Sequence, residues 1–115
     1  MLTLPPSARV FVCTRPTDMR KSFAGLAGLV RDFLGEDPLS GHLFVFANRR
    51  GDCLKLLWWD RDGFAIWYKR LEEGRFRFAS GDDGKLAMNG LDLHLVLQGI
   101  DPAKVTRSKR YSRST

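Results

Sequence analysis

The sequence predicts an α+β fold: an antiparallel β-meander of four or five strands with one main amphipathic helix packed on one face, then a short C-terminal helix and a basic tail. Three observations carry that expectation. Apolar residues recur at helical spacing between residues 17 and 35. Three turns ending in glycine follow, their glycines 12 and 11 residues apart. The runs between those turns are rich in aromatic and β-branched residues, as strands are. At 115 residues the chain suffices for one core and not two. Residues 1–103 are therefore read as a single domain and 104–115 as its tail.

Taken in order, Arg9–Cys13 (RVFVC) is a short β-rich run ending at a turn that contains Pro16. A helix follows, with Thr17 as N-cap, Asp18 at the positive end of the dipole, and Gly35 and Pro38 as its stop. Met19, Phe23, Leu26, Ala27, Val30 and Phe33 form one face, which Leu34 widens. Gly25 and Gly28 each cost about 1 kcal/mol of helix propensity, and close approach to a sheet would explain them.

Asn48-Arg49-Arg50-Gly51, Asp60-Arg61-Asp62-Gly63 and Leu71-Glu72-Glu73-Gly74 read as three-residue hairpin loops with a left-handed glycine. They imply strands at about 42–48, 52–60, 64–70 and 75–79. Pairing 48 with 52, 60 with 64 and 71 with 75 puts even-numbered residues on one face. Phe44, Phe46, Leu54, Leu56, Trp58, Phe64, Ile66, Tyr68, Phe76 and Phe78 would lie there, under the helix. The odd face would carry Val45, Lys55, Leu57, Trp59, Trp67, Lys69, Arg75 and Arg77, with Lys55 opposite Lys69 and Lys69 opposite Arg77. Like charges opposed across strands are destabilising. Such a face suits a single-strand binder that tracks phosphates and stacks bases, or a docking patch anchored by Trp and Arg. It also suits a second layer, built from the N-terminal segment or the last helix, past which the cation stems snorkel. After Ser80 the GDDG stretch is a loop. Asn89 then caps a short helix ending near Gly99, in preference to the strand that the alternation in LDLHLVL also permits.

The net charge of +6 is concentrated at one end. Lys104, Arg107, Lys109, Arg110 and Arg113 are five cations without an acid, and the remainder holds 14 cations against 13 acids. A tail of that composition has little to bury, reads as disordered in isolation and favours polyanions through counterion release. Cys13 and Cys53 lie in apolar runs and read as reduced, buried thiols. With His42 and His94 they show no paired ligand spacing, so no metal site is expected. No apolar run approaches a membrane span and the N-terminus lacks signal-peptide features, which makes the cytoplasm the expected location.

No Ser or Cys stands in a nucleophile motif and no glycine loop is of phosphate-binding type, so neither a catalytic residue nor a cofactor is expected. Asp60, Asp62, Glu72 and Glu73 occupy positions that hairpin turns populate anyway. Arg20 and Lys21 are more informative. Two cations in a helix's first turn oppose its dipole, yet together with free N–H groups they could hold a phosphate; a salt bridge to a loop acid is the plainer alternative. Arg49 and Arg50, at a hairpin tip, read as a generic polyanion contact or simply as a soluble turn.

The blocks PTDMRK, LFVF, RRGD, LK-LWWD and YKRLE-GRF, in this order between Arg9 and Ile100, resemble the Orf2-like accessory proteins of insertion-sequence-sixty-six transposons. These share the name TnpB with an RNA-guided nuclease that is a different protein. Cys53 departs from the pattern, which shows a polar or basic residue there. The resemblance implies a non-catalytic accessory role in transposition, with a separate transposase carrying the chemistry. DNA and that transposase are the implied partners, and self-association is left open. The alternative is an adaptor that docks on the transposase without touching DNA. Arg20, Lys21, Arg49, Arg50, Lys55, Trp59, Trp67, Lys69, Arg75 and Arg77, with Arg107, Lys109 and Arg110 of the tail, are the candidate nucleic-acid contacts.

Overall fold

Five strands and two helices make up the computed structural model, which describes residues 7–78 and 83–99. The basic tail, with Arg107, Lys109 and Arg110, lies outside the described residues, as do Ala79 of the expected fourth strand and part of the GDDG loop. Strand β1 (Val10–Cys13) runs parallel to β2 (Leu43–Ala47), which continues antiparallel into β3 (Cys53–Trp59) and β4 (Phe64–Arg70). Strand β5 (Lys85–Met88), absent from the sequence reading, pairs antiparallel with the other side of β1. The order is β4-β3-β2-β1-β5, a mixed sheet that is mostly antiparallel.

The register differs from expectation by one residue at two turns, in opposite directions. At the first turn Asn48 pairs with Cys53, through Asn48 N–H to Cys53 O at 3.1 Å. Asn48 fills the longer loop with its side chain: Oδ1 accepts from the Cys53 N–H at 3.0 Å and Nδ2 donates to Asp52 Oδ1 at 2.7 Å. At the second turn Asp60 N–H donates to Gly63 O at 2.7 Å, which leaves a loop of two residues. There Arg61, at φ 62°, takes the left-handed conformation expected of Gly63. Each one-residue slip inverts a strand. The two cancel, so β2 and β4 keep their expected faces and β3 alone is turned over. The cation ladder therefore does not form: Lys55 lies opposite Tyr68, and Lys69 opposite Leu54.

The first face carries Phe11, Cys13, Phe44, Phe46, Leu57, Phe64 and Ile66, beneath Leu26, Ala27, Val30 and Leu34. Those covering residues come from α1 (Phe23–Leu29) and a π-helical turn (Val30–Leu34) that continues it. Gly35, at φ 69°, ends the segment, and the Glu36 N–H reaches back to Val30 O at 3.0 Å. The helix starts at Phe23 behind Ser22, not at Thr17; Thr17 is buried and its N–H bonds to Ala47 O at 2.8 Å. Gly25 and Gly28 do not press on the sheet, since a side chain there would meet Lys21 and Arg31 instead.

The second face is covered. Val10, Val12, Leu43, Val45, Leu54 and Leu56 pack with Phe76, Leu93 and Val96, flanked by Trp58 and Trp67. Leu93 and Val96 belong to α2 (Gly90–Leu97), whose N-cap Asn89 accepts the Asp92 N–H at 2.8 Å, and Gly99 follows at φ 80°. Residues 75–78 are not a strand against β4. The segment crosses the first turn, with the Leu71 N–H on Asp52 O and the Phe76 N–H on Gly51 O, each at 2.8 Å, and so brings Phe76 to the second face.

Candidate nucleic-acid interface

The loop from Thr14 to Ser22 and the turn from Asn48 to Asp52 meet at one end of the sheet. Between them lies a cleft of about 550 Å3, lined by Pro16, Thr17, Asp18, Met19, Asn48, Arg49, Arg50 and Cys53. A second cleft of about 280 Å3, on the far side of the same turn, shares Pro16, Asn48 and Arg49 and adds Phe76 and Phe78. Thus two of the sequence blocks, PTDMRK and RRGD, which stand some 30 residues apart, form the two lips of one site.

Local hydrogen bonds set the first lip. Asp18 forms an Asx turn, its Oδ1 accepting the Arg20 N–H at 2.9 Å, while its backbone carbonyl accepts the Lys21 N–H at 3.0 Å. Its carboxylate also grips the Arg20 guanidinium, with Nε 3.1 Å from both oxygens and Nη2 2.7 Å from Oδ2. This contact, together with the Arg20 N–H, holds the Asp18 carboxyl down at about 2 and raises the Arg20 guanidinium further. Arg20 and Lys21 are exposed, and both precede the helix rather than sit in its first turn.

Beneath this lip lies Lys55. Its backbone is in β3, and its ammonium donates to Met19 O at 2.7 Å and Lys21 O at 2.9 Å, 4.9 Å from the centre of the Tyr68 ring. At 9% exposure it is a strut under the loop rather than a free cation. The neighbouring Cys53 thiol, with partial burial, pushes the Tyr68 hydroxyl up. On the second lip Arg49 and Arg50 are exposed, and the Asn48 amide holds the Asp52 carboxyl below its ordinary range. Arg75 lays its stem across Gly51, and Arg70 stands opposite Cys53.

The other candidates lie elsewhere. Trp59 is on the helix face, edge-on to Phe64 with centroids 5.1 Å apart, whereas Trp67 is half-buried against the second core. The two do not share a face, because β3 is turned over and β4 is not. Lys69 donates to Leu97 O at 3.2 Å and so caps the end of α2. Arg77 is exposed between Phe76 and Phe78. The salt bridge from Arg20 to a loop acid, raised from sequence, is present, but sequence reasoning did not name Asp18 as that acid and passed over Asn48 as an organiser of the turn. The signals were present: an Asp two residues before an Arg, and an Asn and an Asp bracketing RRG. Among the described residues, no three of His, Cys, Asp and Glu cluster as a metal site would need, and no helix is long and apolar enough to cross a membrane.

A family model described as IS66 Orf2-like protein matches residues 8–107. The chain is 42% identical over 101 residues to the uncharacterized protein y4hO of Sinorhizobium fredii (strain NBRC 101917 / NGR234), a match covering 88% of each chain. It is 38% identical over 99 residues to the uncharacterized protein y4jC of the same strain, covering 86% of this chain and 85% of that one. No solved structure matches the chain. Both lips of the cleft fall within the matched residues, and on the extent of these matches the chain belongs to the family of IS66 Orf2-like proteins.

Proposed function

We propose that the protein is a non-catalytic accessory factor in the transposition of a bacterial insertion sequence, acting in the cytoplasm, where it binds DNA without sequence specificity and assists the transposase. The observation that carries this reading is that exposed Arg49 and Arg50 line one side of a cleft whose other side holds Asp18, the residue that grips the exposed Arg20 guanidinium. Exposed cations arranged in this way contact phosphates and leave base edges unread. Family membership supports the setting in a mobile element. Most aromatic side chains of the sheet pack on one of its two cores, and the exposed Tyr68 lies over the Lys55 ammonium, which favours phosphate contacts over base stacking.

Fluorescence anisotropy with a labelled duplex across a salt series tests the proposal. Log affinity is expected to fall linearly with log salt, at a slope of about −0.9 for each phosphate contacted. Affinity that ignores salt, or no binding at micromolar protein in low salt, overturns it. Deleting residues 104–115 separates tail from body: the body alone is expected to retain binding that Arg49→Ala with Arg50→Ala then weakens.

A further inference from the structure

Arg20 and Asp18 form an ion pair at the rim of the cleft, and an ion pair is ordinarily a reason to discount a cation as a ligand for DNA. The geometry argues the reverse. A guanidinium carries five N–H donors in a fixed fork. The Asp18 carboxylate engages the side bearing Nε and Nη2. That leaves the end-on edge, the parallel N–H groups of Nη1 and Nη2, directed away from the carboxylate. The Arg20 side chain is 92% exposed, so this edge meets solvent. Asp18 is itself held by the Arg20 N–H and lines the cleft. The fork is thus anchored at the cleft rim, on a loop that Lys55 ties down from below.

We infer that the end-on edge of Arg20 is a docking point for one backbone phosphodiester of DNA, and that Asp18 is the positioning residue that fixes it. The inference rests on the DNA-binding reading above and deepens it. An arginine free in solvent must give up side-chain freedom to form a bidentate contact, and here the carboxylate has already removed part of that freedom. An acidic side chain beside a DNA site therefore strengthens binding, although its charge alone would weaken it.

Asp18→Asn separates the two effects. Its side-chain oxygen can still accept the Arg20 N–H, so the Asx turn survives, while the contacts to Oδ2, including the 2.7 Å bond from Nη2, are lost and one negative charge disappears. Anisotropy titrations with a labelled duplex at low salt are expected to show affinity falling about five-fold for Asp18→Asn. Arg20→Ala should show a similar fall, with a salt slope shallower by about 1. The double variant is expected to bind no worse than Arg20→Ala alone. Tighter or unchanged binding by Asp18→Asn overturns the inference while leaving DNA binding intact. Absence of binding by the wild-type protein overturns the DNA reading and the inference with it. Arg20→Lys leaves the backbone turn untouched, keeps the charge and loses the fork; it is expected to weaken binding about as much as Asp18→Asn with the salt slope retained, and binding at wild-type strength counts against the bidentate contact. Thermal melting of each variant confirms that the loop is folded.

Discussion

Lys55 shows how little a residue's type says about its use. Between Leu54 and Leu56 it reads as a solvent-facing cation, yet its four-carbon stem crosses the first core and its ammonium reaches two carbonyls of the loop above. Replacing it with methionine keeps the stem's volume and strands those carbonyls. Lys55→Met is expected to cost about 1–3 kcal/mol in urea denaturation. Asp18 is legible in another way. Its carboxyl is expected to titrate near 2 in the folded protein, and Arg20→Ala should return it toward 3.8, as carboxyl NMR would show. Because the folded value lies below the unfolded one, the clamp's contribution to stability is present above about 3.8 and is lost as the pH falls through about 2. Arg20, Lys21, Arg49 and Arg50 could be nominated from sequence because exposed cations near turns stay exposed. Trp59 could not be placed, since the face of β3 depends on register, whereas Trp67 lies on the face expected of it.

At the scale of elements, β1 to β4 were legible as strands, whereas β5, the course of residues 75–78 and the orientation of β3 were not. β3 is apolar at both parities, with Leu54, Leu56 and Trp58 on one side and Leu57 and Trp59 on the other. Its composition therefore gives no preference between faces, and turn length alone decides. Turn length depends on which residue enters the left-handed region, and Arg61 does so in place of Gly63. Gly51, at φ 77°, is a different case, since an alanine there is strained. Gly51→Ala is expected to cost about 1 kcal/mol in thermal or urea unfolding, whereas Gly63→Ala, which meets nothing within 4 Å, is expected to be nearly neutral. The final helix was legible because its N-cap is local in sequence. Asn89→Ala is expected to destabilise by about 1 kcal/mol. The boundary of α1 was misplaced because Thr17 and Asp18 imitate a helix start while serving a turn.

The molecule as a whole has a layer on each side of its sheet, and the second depends on α2. Leu93 is 2% exposed among Val10, Val12 and Leu56, so Leu93→Ala is expected to cost about 2–5 kcal/mol by calorimetry or denaturant titration. Burial of both faces also explains why the basic site gathers at one end, where turns rather than strands present side chains. The sheet order carries a kinetic consequence. β1, near the start of the chain, is flanked by β2 and by β5, with partners as distant as Val10 and Met88. While the chain is being synthesised, β1 can join β2 early but must await β5, so one side of it stays an open template until residues 85–88 have emerged. The nascent protein passes through a stage in which a strand that ends up inside the sheet is still an edge, open to strand exchange with neighbours on the same messenger.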